Sequence, residues 1–185
     1  MNLQTMNLLF GLLTGLANLF VIVTLLLWLF SRQNLFVKLR DAVGPNALWI
    51  GFAVAAVTVA GSLYYSEYVN FEPCKLCWFQ RIALYPMSII MLVAALRKDV
   101  LVKFYAVPVL VVGALVSIYL YQFEWFPTQE STFCSVVPGE TPCNVTWFRQ
   151  FGFMSLAYMA LSSALAIITL VLIARRGDDE EAELV

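Results

Sequence analysis

The chain has 185 residues, 62% of them hydrophobic and 12% charged, with a formal net charge of −1 and no histidine. A soluble domain averages about 45–50% apolar and about 25% charged residues, so the composition describes a polytopic membrane protein with little mass outside the bilayer. It carries no basic stripe of the kind that grips nucleic acid. The missing histidine excludes a Cys/His zinc site, histidine-held haem and any Ser-His or Cys-His pair, which leaves the four cysteines as the candidates for chemistry.

A helix needs roughly 20 apolar residues to cross the hydrocarbon. Five segments qualify: 6–30, 46–65 after the Gly44-Pro45 break, 76–96, 104–123 and 148–174. The first lacks a basic leader and a small-x-small cleavage site, and reads as a retained anchor rather than a signal peptide. Its Gly11 and Gly15 form a small-xxx-small pair able to pack on another helix. The expected fold is an all-α membrane protein, a four-helix transmembrane bundle plus one extra N-terminal transmembrane helix. Residues 1–45 form the anchor and a cytoplasmic loop, 46–176 the bundle with an outer loop 124–148, and 177–185 an acidic cytoplasmic tail.

Loop charges set the orientation. Arg32, Lys38 and Arg40 lie between spans one and two, Arg97, Lys98 and Lys103 between spans three and four, and Arg175 and Arg176 after span five. The other side carries only Lys75 and Arg149. Basic residues gather on the cytoplasmic side, so the N-terminus is expected outside and the C-terminus inside the cell membrane. All four cysteines then face the outer compartment, where disulfides persist.

Cys74 and Cys77 stand where span three begins, in the run Pro73-Cys74-Lys75-Leu76-Cys77-Trp78-Phe79-Gln80-Arg81. On a helix Cys77 sits about 4.5 Å deeper than Cys74, and Arg81, at i+4 from Cys77, about 6 Å deeper again on the same face. The helix N-terminus stabilises a thiolate, and a cation inside a membrane segment marks a functional site by default. A static disulfide and an outward-snorkelling arginine are the plainer readings. Lys75 reads as a solvated interfacial residue, and Trp78, Phe79 and Tyr85 as belt or packing residues. Cys134 and Cys143 lie in the outer loop, with Pro138-Gly139 between them as a turn able to bring the thiols together. Alone they read as a loop staple. Beside a second dithiol they offer a relay, since neighbouring pairs pass a disulfide by thiolate attack. A four-cysteine zinc site is the weaker alternative, because an oxidising compartment favours disulfides. Asn144-Val145-Thr146 matches a glycosylation acceptor, and Gln122 and Glu124, with Tyr119 and Tyr121 nearby, mark the interface or reach a quinone headgroup.

Pro-Cys-x-x-Cys-Trp-x-x-Arg at the start of a transmembrane helix, followed by an outer-loop cysteine pair and a closing helix, resembles the DsbB/BdbC disulfide bond formation family over about residues 46–176. The resemblance implies a membrane thiol:quinone oxidoreductase that reoxidises a DsbA-like thioredoxin-fold protein and passes the electrons to ubiquinone or menaquinone. It implies that Cys134 forms the mixed disulfide with that partner, with Cys143 as its loop mate. Cys74 exchanges with the loop pair, and Cys77 reacts with the quinone with Arg81 assisting. The first span is additional to the family's four, and the nine-residue step from Cys134 to Cys143 is short for that loop. An enzyme similar to vitamin K epoxide reductase is the nearest rival, but there the loop pair precedes the Cys-x-x-Cys motif. A non-enzymatic scaffold with structural disulfides is the rival from another class.

Overall fold

A computed structural model describes residues 3–30, 33–126 and 141–175. Among the described residues there are six α-helices: α1 (Leu3–Leu29), α2 (Gln33–Val43), α3 (Ala47–Leu63), α4 (Lys75–Arg97), α5 (Lys103–Trp125) and α6 (Leu156–Ile173). Among the described residues five helical stretches are long and apolar enough to cross a membrane: Leu3–Leu29, Asn34–Tyr68, Lys75–Arg97, Val100–Trp125 and Leu156–Ile173. The fold is thus a helical membrane bundle with an additional N-terminal span, as the apolar runs require.

Helices α3 to α6 form a closed ring. α3 packs on α4 and α6, and α5 packs on the same two neighbours, while α1 lies outside the ring against α6. Met87, Met91, Leu110, Ile167 and Leu170 fill the centre and are fully buried. Small residues let the backbones approach, which is how helices gain packing where lipid is as apolar as leucine. A Cβ added to Gly113 on α5 would lie 2.8 Å from the Ala83 Cβ on α4. Polar groups inside the spans find partners across helices: Gln80 Nε2 donates to Ser117 Oγ at 2.8 Å, and Thr58 Oγ1 to Ser163 Oγ at 2.9 Å. Such bonds average only about 0.6 kcal/mol in a membrane, so they fix rotation and register more than they hold the ring together.

Caps define the ends. α4 begins at Cys74, whose extended backbone turns the chain into the helix, and ends at Lys98 in the left-handed region (φ 51°). There the Asp99 amide returns to Ala94 O at 2.9 Å. Asp99 then caps the 3₁₀ turn Val100–Val102 by accepting from the Leu101 amide. At the far end of α3 the helix widens into a π-turn, Tyr64–Tyr68.

Two expectations change. The final span does not begin at 148. Gln150 and Met154 form a two-way antiparallel bridge around Phe151 (φ 54°) and Gly152 (φ 84°), and only Ser155, accepting from the Tyr158 amide, starts α6. A run of aromatic residues with a left-handed turn inside it cannot continue a helix, whatever its hydropathy. The linker between the first two spans is also helical, as α2, and runs through the 3₁₀ turn Gly44–Asn46 into α3 with Pro45 in the first turn, where a missing amide costs nothing. Of the pair on α1, only Gly11 makes a close approach, with Gln150 Cγ 3.0 Å from an added Cβ, whereas nothing lies within 4 Å at Gly15.

Replacing Gly113 with leucine should therefore lower the thermal midpoint in detergent by the equivalent of about 1–3 kcal/mol, the usual cost of overpacking. Gly15→Ala should leave it unchanged or slightly raised, and differential scanning fluorimetry of the two variants checks the contrast.

Candidate functional site: a dithiol between a disulfide and a cavity

The site is built at the N-terminus of α4. Cys74 is the N-cap of that helix, and its Sγ accepts the backbone N–H of Cys77 at 3.3 Å. A thiol here does what serine or aspartate does at most caps, and the geometry turns the Cys77 side chain toward it. The two Sγ atoms lie 2.7 Å apart, so forming or opening a bond between them needs no backbone movement. Both are free thiols. The Cys77 thiol donating to Cys74 holds the Cys74 pKa below the ordinary thiol value, helped by the amides of Cys77 and Leu76 and opposed by burial.

The two sulfurs have different surroundings. Cys74 is buried in a small apolar cluster with Leu76, Leu120, Phe123, Ala157 and Cys143. Cys143 is itself buried and disulfide-bonded. Cys134, expected as its mate, lies outside the described residues. Cys77 packs against this cluster from one side and on the other lines a cavity of about 580 Å³.

Arg81 sits in the wall of the same cavity. It does not snorkel outward: its Nη2 donates to Ser62 O on α3 at 3.4 Å, and the guanidinium lies 5.4 Å from the Trp78 ring and 5.8 Å from the Tyr85 ring. Among the described residues that is its one hydrogen bond, so most of its five N–H donors remain for whatever enters. Tyr85 OH donates to Ser62 Oγ at 3.0 Å, which ties α4 to α3 one turn deeper. Trp78 and Phe79 are exposed on the lipid side, as expected of belt residues.

The segment 141–154 folds over this end. Trp147 stacks on Phe71 with centroids 4.5 Å apart, and Phe148 packs on Tyr65. Thr141 donates to Glu72, and Arg149 donates to Glu124 O at 2.6 Å. Glu124 departs from both earlier readings. It is buried, lies outside the cavity lining, and its Oε2 has no hydrogen-bond partner among the described residues, whereas Gln122 is exposed. Sequence reasoning missed Tyr65, Ser62 and Gln80 as cavity-wall residues. The signal for Gln80 was a neutral amide inside an apolar span, whereas Ser62 and Tyr65 come from another helix and carried none.

Together these features define a multi-pass helical membrane protein with a redox-capable dithiol at one end of its bundle, set between a disulfide and an apolar cavity. The family model for the disulfide bond formation protein DsbB matches residues 45–174. The chain belongs to that family, which places it among the membrane proteins of disulfide-bond formation. It is 39% identical to a probable disulfide formation protein of Oceanobacillus iheyensis, over 74% of this chain and 94% of the relative. It is 36% identical to disulfide bond formation protein C of Bacillus subtilis, over 65% of this chain and 86% of the relative. The probable disulfide formation protein C 2 of Bacillus anthracis is also 36% identical, over 67% and 86%. No solved structure matches.

Because the Cys77 thiol is the largest cause of the lowered Cys74 pKa, alkylation of Cys74 in the reduced protein should reach half its maximal rate at a pH below the ordinary thiol value of about 8.5. In Cys77→Ala the half-maximal pH should move up. Iodoacetamide labelling across pH, quantified on the Cys74 peptide by mass spectrometry, measures it. An unmoved midpoint would mean that Cys77 does not set the ionisation.

Proposed function

We propose that this chain is a membrane thiol:quinone oxidoreductase that regenerates an extracytoplasmic thioredoxin-fold thiol oxidase of the DsbA kind. The observation that carries the reading is the unequal placement of the dithiol, with Cys74 in the buried cluster that holds the disulfide-bonded Cys143 and Cys77 open to the cavity.

The cavity fits a quinone in size and chemistry. Its volume of about 580 Å³ is within the range of small-molecule sites, about 300–1,000 Å³. Its walls are mostly apolar, and Arg81, Gln80 and Tyr85 stand on the same helix as Cys77. When bound there, a quinone supplies an acceptor for two electrons and two protons.

The protein's own sulfurs carry out the rest. A partner thiolate attacks Cys134, Cys143 leaves, and the partner's second thiol resolves the mixed disulfide, which leaves the partner oxidised and the loop pair reduced. A loop thiolate then attacks Cys74 in a Cys74–Cys77 disulfide, and the second loop thiol closes the loop disulfide again. Cys77 leaves in the first of these attacks and Cys74 in the second, where its lowered pKa makes it a good leaving group. Cys77, now a thiol at the cavity wall, delivers the electron pair while Cys74 closes on it. The two thiol protons leave with the electrons, so the cycle balances. Arg81 offers its free donors to the oxygen on which negative charge develops.

Orientation follows from the same charges. Lys38, Arg40, Arg97, Lys98, Lys103 and Arg175 belong to the bundle end opposite the cysteines, which by the positive-inside bias is the cytoplasmic end. Residues 46–176 are then the redox unit, with its outer loop in the oxidising compartment.

In proteoliposomes containing a quinone, the purified protein should oxidise a reduced thioredoxin-fold oxidase with matching loss of quinone absorbance. Cys77→Ala should abolish quinone reduction, and normal turnover by that variant would overturn the assignment. Arg81→Ala should raise the apparent KM for quinone about tenfold or more, since a charged hydrogen bond contributes about 1.5–3 kcal/mol, and leave the KM for the protein partner unchanged.

A further inference from the structure

Helix α1 precedes the family segment, which begins at residue 45, and the redox chemistry makes no use of it. It is only lightly buried. Gly11, Thr14 and Thr24 are its buried residues, while Leu19, Ile22, Leu25 and Leu26 are exposed on its outer side. Yet it is fastened by specific polar contacts at the cysteine end. Tyr65 OH, on the π-turn, donates to Asn7 Oδ1 at 2.7 Å, and Asn18 Nδ2 donates to Tyr158 OH at 3.1 Å. The Phe10 ring lies against Gly61 of α3, where an added Cβ would come within 2.9 Å of it. Such contacts hold α1 at the mouth of the ring without letting it collapse into the space behind it.

That space is the cavity. Phe10, Leu13, Thr14, Leu16, Ala17 and Phe20 of α1 form one wall. The facing wall runs from Ile50 on α3 to Tyr65 on the π-turn that ends it, fifteen steps along the chain, or about 22 Å at helical rise. Polar groups cluster at the end that holds Cys77 and Arg81. Toward the far end the lining is apolar and reaches Val43, Phe20 and Leu170. A headgroup alone does not need a slot of that length.

Resting on the quinone reading above, we infer that α1 is the wall of a tail channel. It closes the lipid-facing side of the cavity and binds the polyprenyl chain of the quinone along Leu13, Ala17 and Phe20. The occupant is identified by shape and polarity: a compact polar group at the sulfur end joined to a long hydrocarbon that runs parallel to the spans. In this role α1 discriminates by tail and not by headgroup.

The test uses the full-length protein and two probes, a dimethoxy-methyl-benzoquinone without a tail and the same headgroup with a four-isoprene tail. First, a tailed analogue with a diazirine at the end of its tail is photocrosslinked to the protein and the labelled peptides are mapped. Label is expected within α1 between Leu13 and Phe20, and unlabelled tailed quinone should compete it away. Label found only on other helices would overturn the inference. So would label that excess quinone does not displace, which would mark an ordinary lipid acyl chain as the occupant. Second, Ala17→Trp should raise the KM for the tailed quinone tenfold or more, leaving the tail-less quinone, kcat and the KM for the protein dithiol unchanged. Ile22→Trp, on the lipid-exposed side, should behave as the unsubstituted protein. Equal effects of Ala17→Trp on both quinones, or none on either, would refute the tail channel. An unsubstituted protein that reduces neither these quinones nor the matching naphthoquinones removes the quinone reading and this inference with it.

Discussion

The start of α4 depends on one interaction, the Cys77 amide donating to the sulfur of Cys74. It fixes where the helix begins, brings the two sulfurs to 2.7 Å, and sets Cys77 one turn inside the helix with Cys74 at its lip. Every other feature of the site is a consequence of that register. Arg81 lies one further turn along and reaches Ser62 across the α3–α4 contact. Leu76, facing away from the cavity, joins Cys74 in the cluster that contains Cys143. A slip of one residue in the helix start would rotate all of these groups by about 100° and separate the thiols from both neighbours.

The membrane explains why the surroundings are built as they are. Apolar contact with lipid costs nothing, so large residues such as Leu25, Ile82 and Phe104 stay exposed without penalty. Close approach comes instead from glycine and alanine at Gly51, Gly61, Gly113 and Ala83. Some polar side chains in the spans bond to their own helix, as Thr14 and Thr24 do, and others pair across helices, as Gln80 does with Ser117 and Thr58 with Ser163, where each pair constrains a rotation. Arg81 is the exception that keeps donors to spare, and it stands beside the reactive sulfur.

Much of this could be read from the residues. Five apolar runs gave the spans, and the i, i+4 relation of Cys77 to Arg81 is carried by helical geometry alone. What escaped had physical causes. The final helix starts at Ser155 rather than at 148 because hydropathy is blind to a tight turn. Gly152 and the capping Ser155 were the local signs, and they were outweighed by the aromatic residues around them. The helical character of 33–43 was hidden by its mixed polarity. Glu124 was taken for an interfacial group because it follows Gln122 at the end of an apolar span, whereas its burial arises with a segment that returns from far along the chain. The cavity has walls on five helices, α1, α2, α3, α4 and α6, so no single stretch announces it. Cys134 lies outside the described residues, and its role rests on the resemblance alone.

The clasp at the other end of the bundle has a consequence for assembly. The Arg175 side chain pairs with Asp41 and its amide donates to Gly44 O, so the last residues of α6 close onto the turn that opens α3. α6 follows α3, α4 and α5 along the chain, and among the described residues it is the helix that closes the ring between α5 and α3. Without α6, the packing of α3 on α4 and of α4 on α5 makes an open arc. The chamber beside Cys77 is complete only with α6 in place, because that helix supplies one of its walls. A chain truncated before α6 would lack both that wall and Ala157, which packs in the cluster around Cys74.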